Sequence, residues 1–255
     1  MEPTSREPLL SFSTVPLLKR LISGTIGGNI AGVAKKVNLV AIKALGDDGS
    51  GRQSDIVQAI DLATSDAVRN NRIAVINMSL GGSASAAIDA AVTRAVAQGV
   101  TVVVAAGNES ENALNSSPAR VANAITVGAS DINDNMASFS NFGPAVDILA
   151  PGVAIFSASI ANDRAAAFLD GTSMASPHVA GLAAVVLSEE GRAAPAVVKQ
   201  RVLQRGVQNR LKQIGESSSF YCTAFLKLCQ WVKLQIFFST FRFREMSVKS
   251  VIHIN

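Results

Sequence analysis

Apolar residues in this chain fall in short runs separated by segments of helical spacing, and the alternation holds from residue 37 to residue 188. Residues 37–45 read as a buried strand closed by the turn cluster Gly46-Asp47-Asp48-Gly49. Over 54–69, Ile56, Ile60 and Ala63 share one face of a helix that the Ser54 hydroxyl can cap. Residues 73–78 form the next apolar run, followed by a Gly-Gly loop, and 85–97 return to helical spacing before stopping at Gly99. The runs 101–106, 124–129 and 146–150 have the pattern of short strands covered on both faces. Residues 172–188 are apolar nearly all round, which predicts a buried helix. Strands alternating with helices predict an α/β fold with a parallel sheet between helical layers.

The two ends break this pattern. Residues 1–22 carry prolines and scattered charges with no sustained period. Beyond Gln208 the chain holds eight of its thirteen aromatics, including the only Trp and the only Tyr, and lysines interrupt each apolar run. The expected organisation is a leader at 1–22, a domain at 23–207, and a tail at 208–255 that stays outside the fold and is disordered or mistranslated.

Composition narrows the function classes. At 48% apolar and 16% charged residues, the bulk of the chain can bury a core. The net charge of +4 is not spread evenly, because 23–207 carries 13 basic against 15 acidic residues and 208–255 carries 7 against 2. The core therefore has no basic surplus for nucleic acid. Cys222 and Cys229, the only cysteines, cannot build a disulfide framework or a zinc site. No apolar run reaches the roughly 18–20 residues of a membrane span, and no secretory signal is visible.

The most specific stretch is Gly171-Thr172-Ser173-Met174-Ala175-Ser176-Pro177-His178-Val179-Ala180-Gly181. Gly171 permits a tight turn, and Ser173 then opens the buried helix, where unpaired N–H groups and the positive dipole end favour a developing anion. Pro177 is expected in the first turn, where no intrahelical donor is needed. This string resembles the nucleophile motif of the subtilisin family (subtilases, peptidase S8), in its proteinase K-like branch. Three further stretches resemble the family in order: Ser23 to Lys36, Asn77-Met78-Ser79-Leu80-Gly81-Gly82, and Val103-Val104-Ala105-Ala106-Gly107-Asn108.

The resemblance implies a three-layer subtilisin-like α/β fold and a serine endopeptidase acting on polypeptides, secreted and monomeric. Ser173 would be the nucleophile, and Asn108 would hold the oxyanion together with the Ser173 N–H. Gly49, Ser50 and Gly51 would form an edge strand that pairs with the substrate backbone. Ser79, Leu80 and Gly81, with Ala105, Ala106 and Gly107, would line a roomy pocket for apolar or aromatic residues. The chemistry needs no cofactor, but Asp147 with the carbonyls of Ala122 and Ala124 would bind a structural calcium.

The resemblance fails before Ser23. Where the family has its catalytic histidine, six residues before the glycine matching Gly24, this chain has Leu18. No Asp-Thr-Gly or Asp-Ser-Gly turn precedes it, so the N-terminal strands of the sheet are expected to be missing and the serine to lack its base. Of the two histidines, His178 lies on the nucleophile's own helix and His253 in the tail. The alternatives to an endopeptidase are a peptide-binding pseudoprotease and a remnant that does not fold.

Overall fold

The computed structural model describes residues 17–46, 48–158, 166–207 and 250–254. Its centre is a six-stranded, wholly parallel sheet. In chain order the strands are β1 (Asn38–Ile42), β2 (Ala74–Met78), β4 (Thr101–Ala105), β6 (Ile125–Ser130), β7 (Ile148–Pro151) and β10 (Ser250–Ile254), and in space they run β1-β10-β2-β4-β6-β7. Two antiparallel ribbons stand apart from it, β3 (Gly82–Ser83) with β5 (Ser116–Ser117) and β8 (Ile155–Ala158) with β9 (Ala166–Leu169).

Side chains on these strands alternate between two apolar layers, as the two-residue period of a strand requires. Val75, Val103, Val127 and Val251 face the layer that holds α1 (Leu17–Gly27), α4 (Thr172–Glu190) and α5 (Pro195–Arg205). Ile76, Met78, Val102, Val104, Ile252 and Ile254 face α2 (Gln53–Arg69) and α3 (Ala86–Ala97). Helix α4 is buried on almost every side and packs against β2, β4, β6, β7 and β10 as well as α1 and α5. Gly181 lets α4 approach α1 and the segment after it, because a Cβ there would lie 2.7 Å from Val33 Cβ. The predicted three-layer α/β architecture is therefore present.

Three expectations are corrected. The tail does not stay wholly outside the fold, since residues 250–254 form β10, pair with β1 and β2, and are buried throughout. The place between β1 and β2 is thus filled rather than left as an open edge. Ser-Val-Ile-His-Ile suits it because apolar side chains point to both layers. The remainder of the tail, 208–249, lies outside the described residues. Next, the leader boundary at residue 22 falls inside a helix, α1, whose Ile22 and Ile26 are fully buried in the core. Finally, α2 begins at Gln53 with Arg52 at its cap, so Ser54 sits inside the first turn and makes no capping bond.

Candidate active site

Gly171 caps α4 at φ +143°, a conformation that favours glycine, and its N–H donates to the Gly152 carbonyl at 2.8 Å. Ser173 follows as the second residue of the helix, where backbone N–H groups have no intrahelical acceptor. Pro177 is the sixth helical residue, not part of the first turn as expected. A proline there removes the donor that would bond the Ser173 carbonyl. Ser79 Oγ supplies the replacement, donating to Ser173 O at 3.0 Å, while Ser173 Oγ donates to Ser79 O at 3.3 Å. Ser79 is held in turn by the Asn77 amide at 3.0 Å and by Ser176 Oγ at 2.9 Å. The loop after β2 and the Ser173 turn are therefore fixed to each other by reciprocal bonds.

Asn108 lies across the same turn. Its Oδ1 accepts from the Thr172 N–H at 2.8 Å and from the Thr172 hydroxyl at 2.9 Å. The Thr172 oxygen also accepts from Gly107 N–H at 3.2 Å. The Asn108 oxygen is thus the acceptor end of a planar amide whose Nδ2 end is the donor. Asn141, buried beneath, uses its whole amide. Nδ2 donates to Ala106 O at 3.0 Å and Glu109 Oε2 at 2.7 Å, and Oδ1 accepts from the N–H groups of Glu109 at 3.1 Å and Glu111 at 3.0 Å. The sequence reading missed Thr172 and Asn141 as supports. Thr172 lies inside the nucleophile motif, whereas nothing in the sequence marks Asn141.

Ser173, Asn108 and Thr172 open onto a cavity of about 380 Å³ whose walls include Leu80, Gly81, Ala105, Ala106 and Gly107. Ser79 is not on that wall; it is buried behind it. Two carboxylates, Glu109 and Glu111, also line the cavity, so it is less apolar than the sequence suggested. Gly49 and Ser50 lie in a turn rather than in an extended strand, with Gly51 following it. Asp48 causes this: its carboxylate accepts from both the Ser50 N–H and hydroxyl at 2.9 Å, while Gly49 sits at φ +80° and Gly46 N–H takes the Ser50 carbonyl at 2.6 Å.

His178 is buried, and its Nδ1–H donates to the Met174 carbonyl at 2.9 Å along its own helix. Burial lowers its pKa from 6.5 to about 4, only partly opposed by that bond. The unfolded chain thus takes up a proton at higher pH than the folded one. Stability present above pH 6.5 is lost as pH falls toward 4, by about 3 kcal/mol. Denaturant titrations across this window should show the slope in the parent and its loss in His178→Asn; parallel profiles would refute the assignment. His253 extends from β10 toward β2, with Nδ1 3.2 Å from the Asn77 amide nitrogen and 3.3 Å from the Asn77 carbonyl.

The profile of the subtilase family matches residues 21–220, most of the chain. The chain belongs to the subtilase family. Subtilase-type proteinase psp3 of Schizosaccharomyces pombe is 47% identical over 201 residues, covering 77% of this chain and 45% of that protein. An extracellular serine proteinase of a Thermus species is also 47% identical, over 197 residues that cover 77% of this chain and 47% of the relative. The chain thus spans about half the length of these curated relatives. Among solved structures, a cold-adapted subtilisin-like serine proteinase superposes with TM-score 0.76 at 38% identity, covering 84% of this chain and 75% of that one.

In this subtilase the three groups expected around calcium do converge, but on a side chain. Lys199 Nζ from α5 donates to Ala122 O at 3.0 Å and Ala124 O at 2.7 Å, and pairs with Asp147 Oδ1 at 2.7 Å. The second Asp147 oxygen accepts from Thr126 N–H at 2.9 Å. Desolvation pushes the Asp147 pKa up, with Lys199 and the Thr126 N–H opposing it.

Proposed function

We propose that this chain carries the nucleophile, oxyanion hole and specificity pocket of a serine endopeptidase that hydrolyses peptide bonds in polypeptides. The observation that carries the reading is the Ser173–Thr172–Asn108 arrangement, in which a serine at a helix N-terminus lies beside an amide whose oxygen is already bonded. In the reaction, Ser173 Oγ attacks the scissile carbonyl carbon and gives its proton to a base. The carbonyl oxygen becomes an anion between Asn108 Nδ2 and the Ser173 N–H. Collapse expels the protonated amine and leaves an acyl-serine, which water hydrolyses. The names of extracellular and cuticle-degrading relatives support secretion.

Within the 255 residues the base is the weak point. Leu18 stands at the histidine position, and His178 is buried, bonded to Met174 and held neutral. In subtilisin itself, a member of this family, losing the histidine alone lowers kcat about 10⁶-fold. The finer reading is that the 255-residue chain binds peptides in the Leu80–Ala105–Gly107 cavity and cuts them at a rate lowered on that scale, in the manner of a pseudoprotease. A peptide aldehyde should bind saturably, and Ser173→Ala should weaken it at least about tenfold by removing the hemiacetal oxygen. Hydrolysis that depends on Ser173 at a rate ordinary for proteases would sink the deficient-base reading. Absence of saturable binding to a folded chain would sink the cleft itself.

A further inference from the structure

We infer that the Lys199 ammonium is the built-in cation of this domain, occupying the oxygen cradle where a divalent metal would otherwise sit. The inference concerns stability and is independent of the catalytic reading.

The chemistry of the donor set decides between the two occupants. An ammonium has three N–H donors and no acceptor. The cradle offers three acceptors within 2.7–3.0 Å of Nζ, the carbonyls of Ala122 and Ala124 and the Asp147 carboxylate, so each N–H has one partner. Calcium takes six to eight oxygens at about 2.3–2.6 Å. Here a positive charge already fills the centre, and one Asp147 oxygen is spent on Thr126 N–H. Among the described residues no group of three or more His, Cys, Asp or Glu side chains stands ready to complete a metal shell. The Lys199 and Asp147 side chains are only 21% and 19% exposed, so the pair is screened from bulk water.

The placement also gives the ammonium a structural task. Ala122 and Ala124 lie just before β6, Asp147 lies just before β7, and Lys199 comes from α5. One charged group thereby ties the starts of two neighbouring strands to a helix on the sheet face. A tethered cation cannot be diluted or chelated away, so this tie should persist in calcium-poor or chelating surroundings.

The test is thermal unfolding of the 255-residue chain in EDTA and in excess calcium chloride, read as the part of any calcium-induced Tm shift that Asp147→Asn removes. For the parent chain this part should be zero. Lys199→Ala should lower Tm in EDTA by roughly 5–10 °C. Vacating the cradle should also make it calcium-responsive, with Tm recovering in calcium and the recovery lost in Lys199→Ala/Asp147→Asn. Should Lys199→Ala not fold in EDTA, its refolding yield with and without calcium replaces the Tm. Calcium-dependent recovery supports the inference, and failure in both conditions overturns it. A parent Tm that rises with calcium through Asp147 would also overturn it, as would a Lys199→Ala variant that melts like the parent in both conditions.

Discussion

Removing residues 250–255 should abolish the cooperative thermal transition of this chain. Strand β10 lies between β1 and β2 with five residue pairs on either side. Val251, Ile252 and Ile254 are each 0% exposed, and burial of three such side chains is worth about 5–9 kcal/mol. That is most of the 5–15 kcal/mol by which a typical domain is stable. Its loss would also uncover two facing strand edges in the middle of the sheet, inviting association with other chains. Ile252→Asp should act alike by placing a charge in the layer of Ile76 and Val104, while Ile252→Val should cost only about 1 kcal/mol. Differential scanning calorimetry and sedimentation read both effects. A truncated chain that melts cooperatively near the parent Tm would show that β10 does not hold the sheet together.

Gly107→Ala should be nearly as damaging, and it reaches the proposed oxyanion hole directly. Gly107 sits at φ +104°, where an L side chain is strained in any surroundings. A Cβ there would overlap the Asn141 amide nitrogen and lie 2.5 Å from Glu109 Oε2. Asn141 cannot retreat without breaking its bonds to Ala106, Glu109 and Glu111, all made from a fully buried position. Strain together with unpaired buried polar groups should cost roughly 3–5 kcal/mol. The shift would also carry Asn108 away from Thr172, so peptide-aldehyde binding should fall even at temperatures where the variant stays folded. A variant with parent-like Tm and aldehyde affinity would show that this turn is more pliant than its packing implies.

The contrast between what the sequence revealed and what it hid has a physical basis. The strands over 73–78, 101–106 and 124–129, and the helix from residue 172, were legible because central parallel strands and a buried helix need continuous apolar runs. Each lies within a residue or two of the observed element. Helix α1 was hidden by a start that shows no clear period, although Ile22 and Ile26 bury one of its faces. Strand β10 was hidden because five residues after a basic, aromatic segment give no periodic signal, and their role depends on a gap between β1 and β2, the nearer of which is 176 residues away along the chain. At the site, motif residues such as Ser173, Asn108 and Gly107 were legible through resemblance. Asn141 beneath the site and Lys199 in the Asp147 cradle were not, since their partners lie far off in the chain and only folding brings them near. The turn at Gly49 and Ser50 was hidden because the capture of Ser50 by Asp48 is a local hydrogen-bond choice to which patterning is blind.

The position of α4 has a consequence for how the site can move. The helix that presents Ser173 is also the one around which the sheet and two other helices pack. Amide protons in its central turns should therefore exchange with solvent only through global unfolding, and those of the exposed turn at 48–50 through small local openings. Ser173 is anchored both to that helix and to Ser79, so loss of peptide binding and loss of structure on heating should follow one curve.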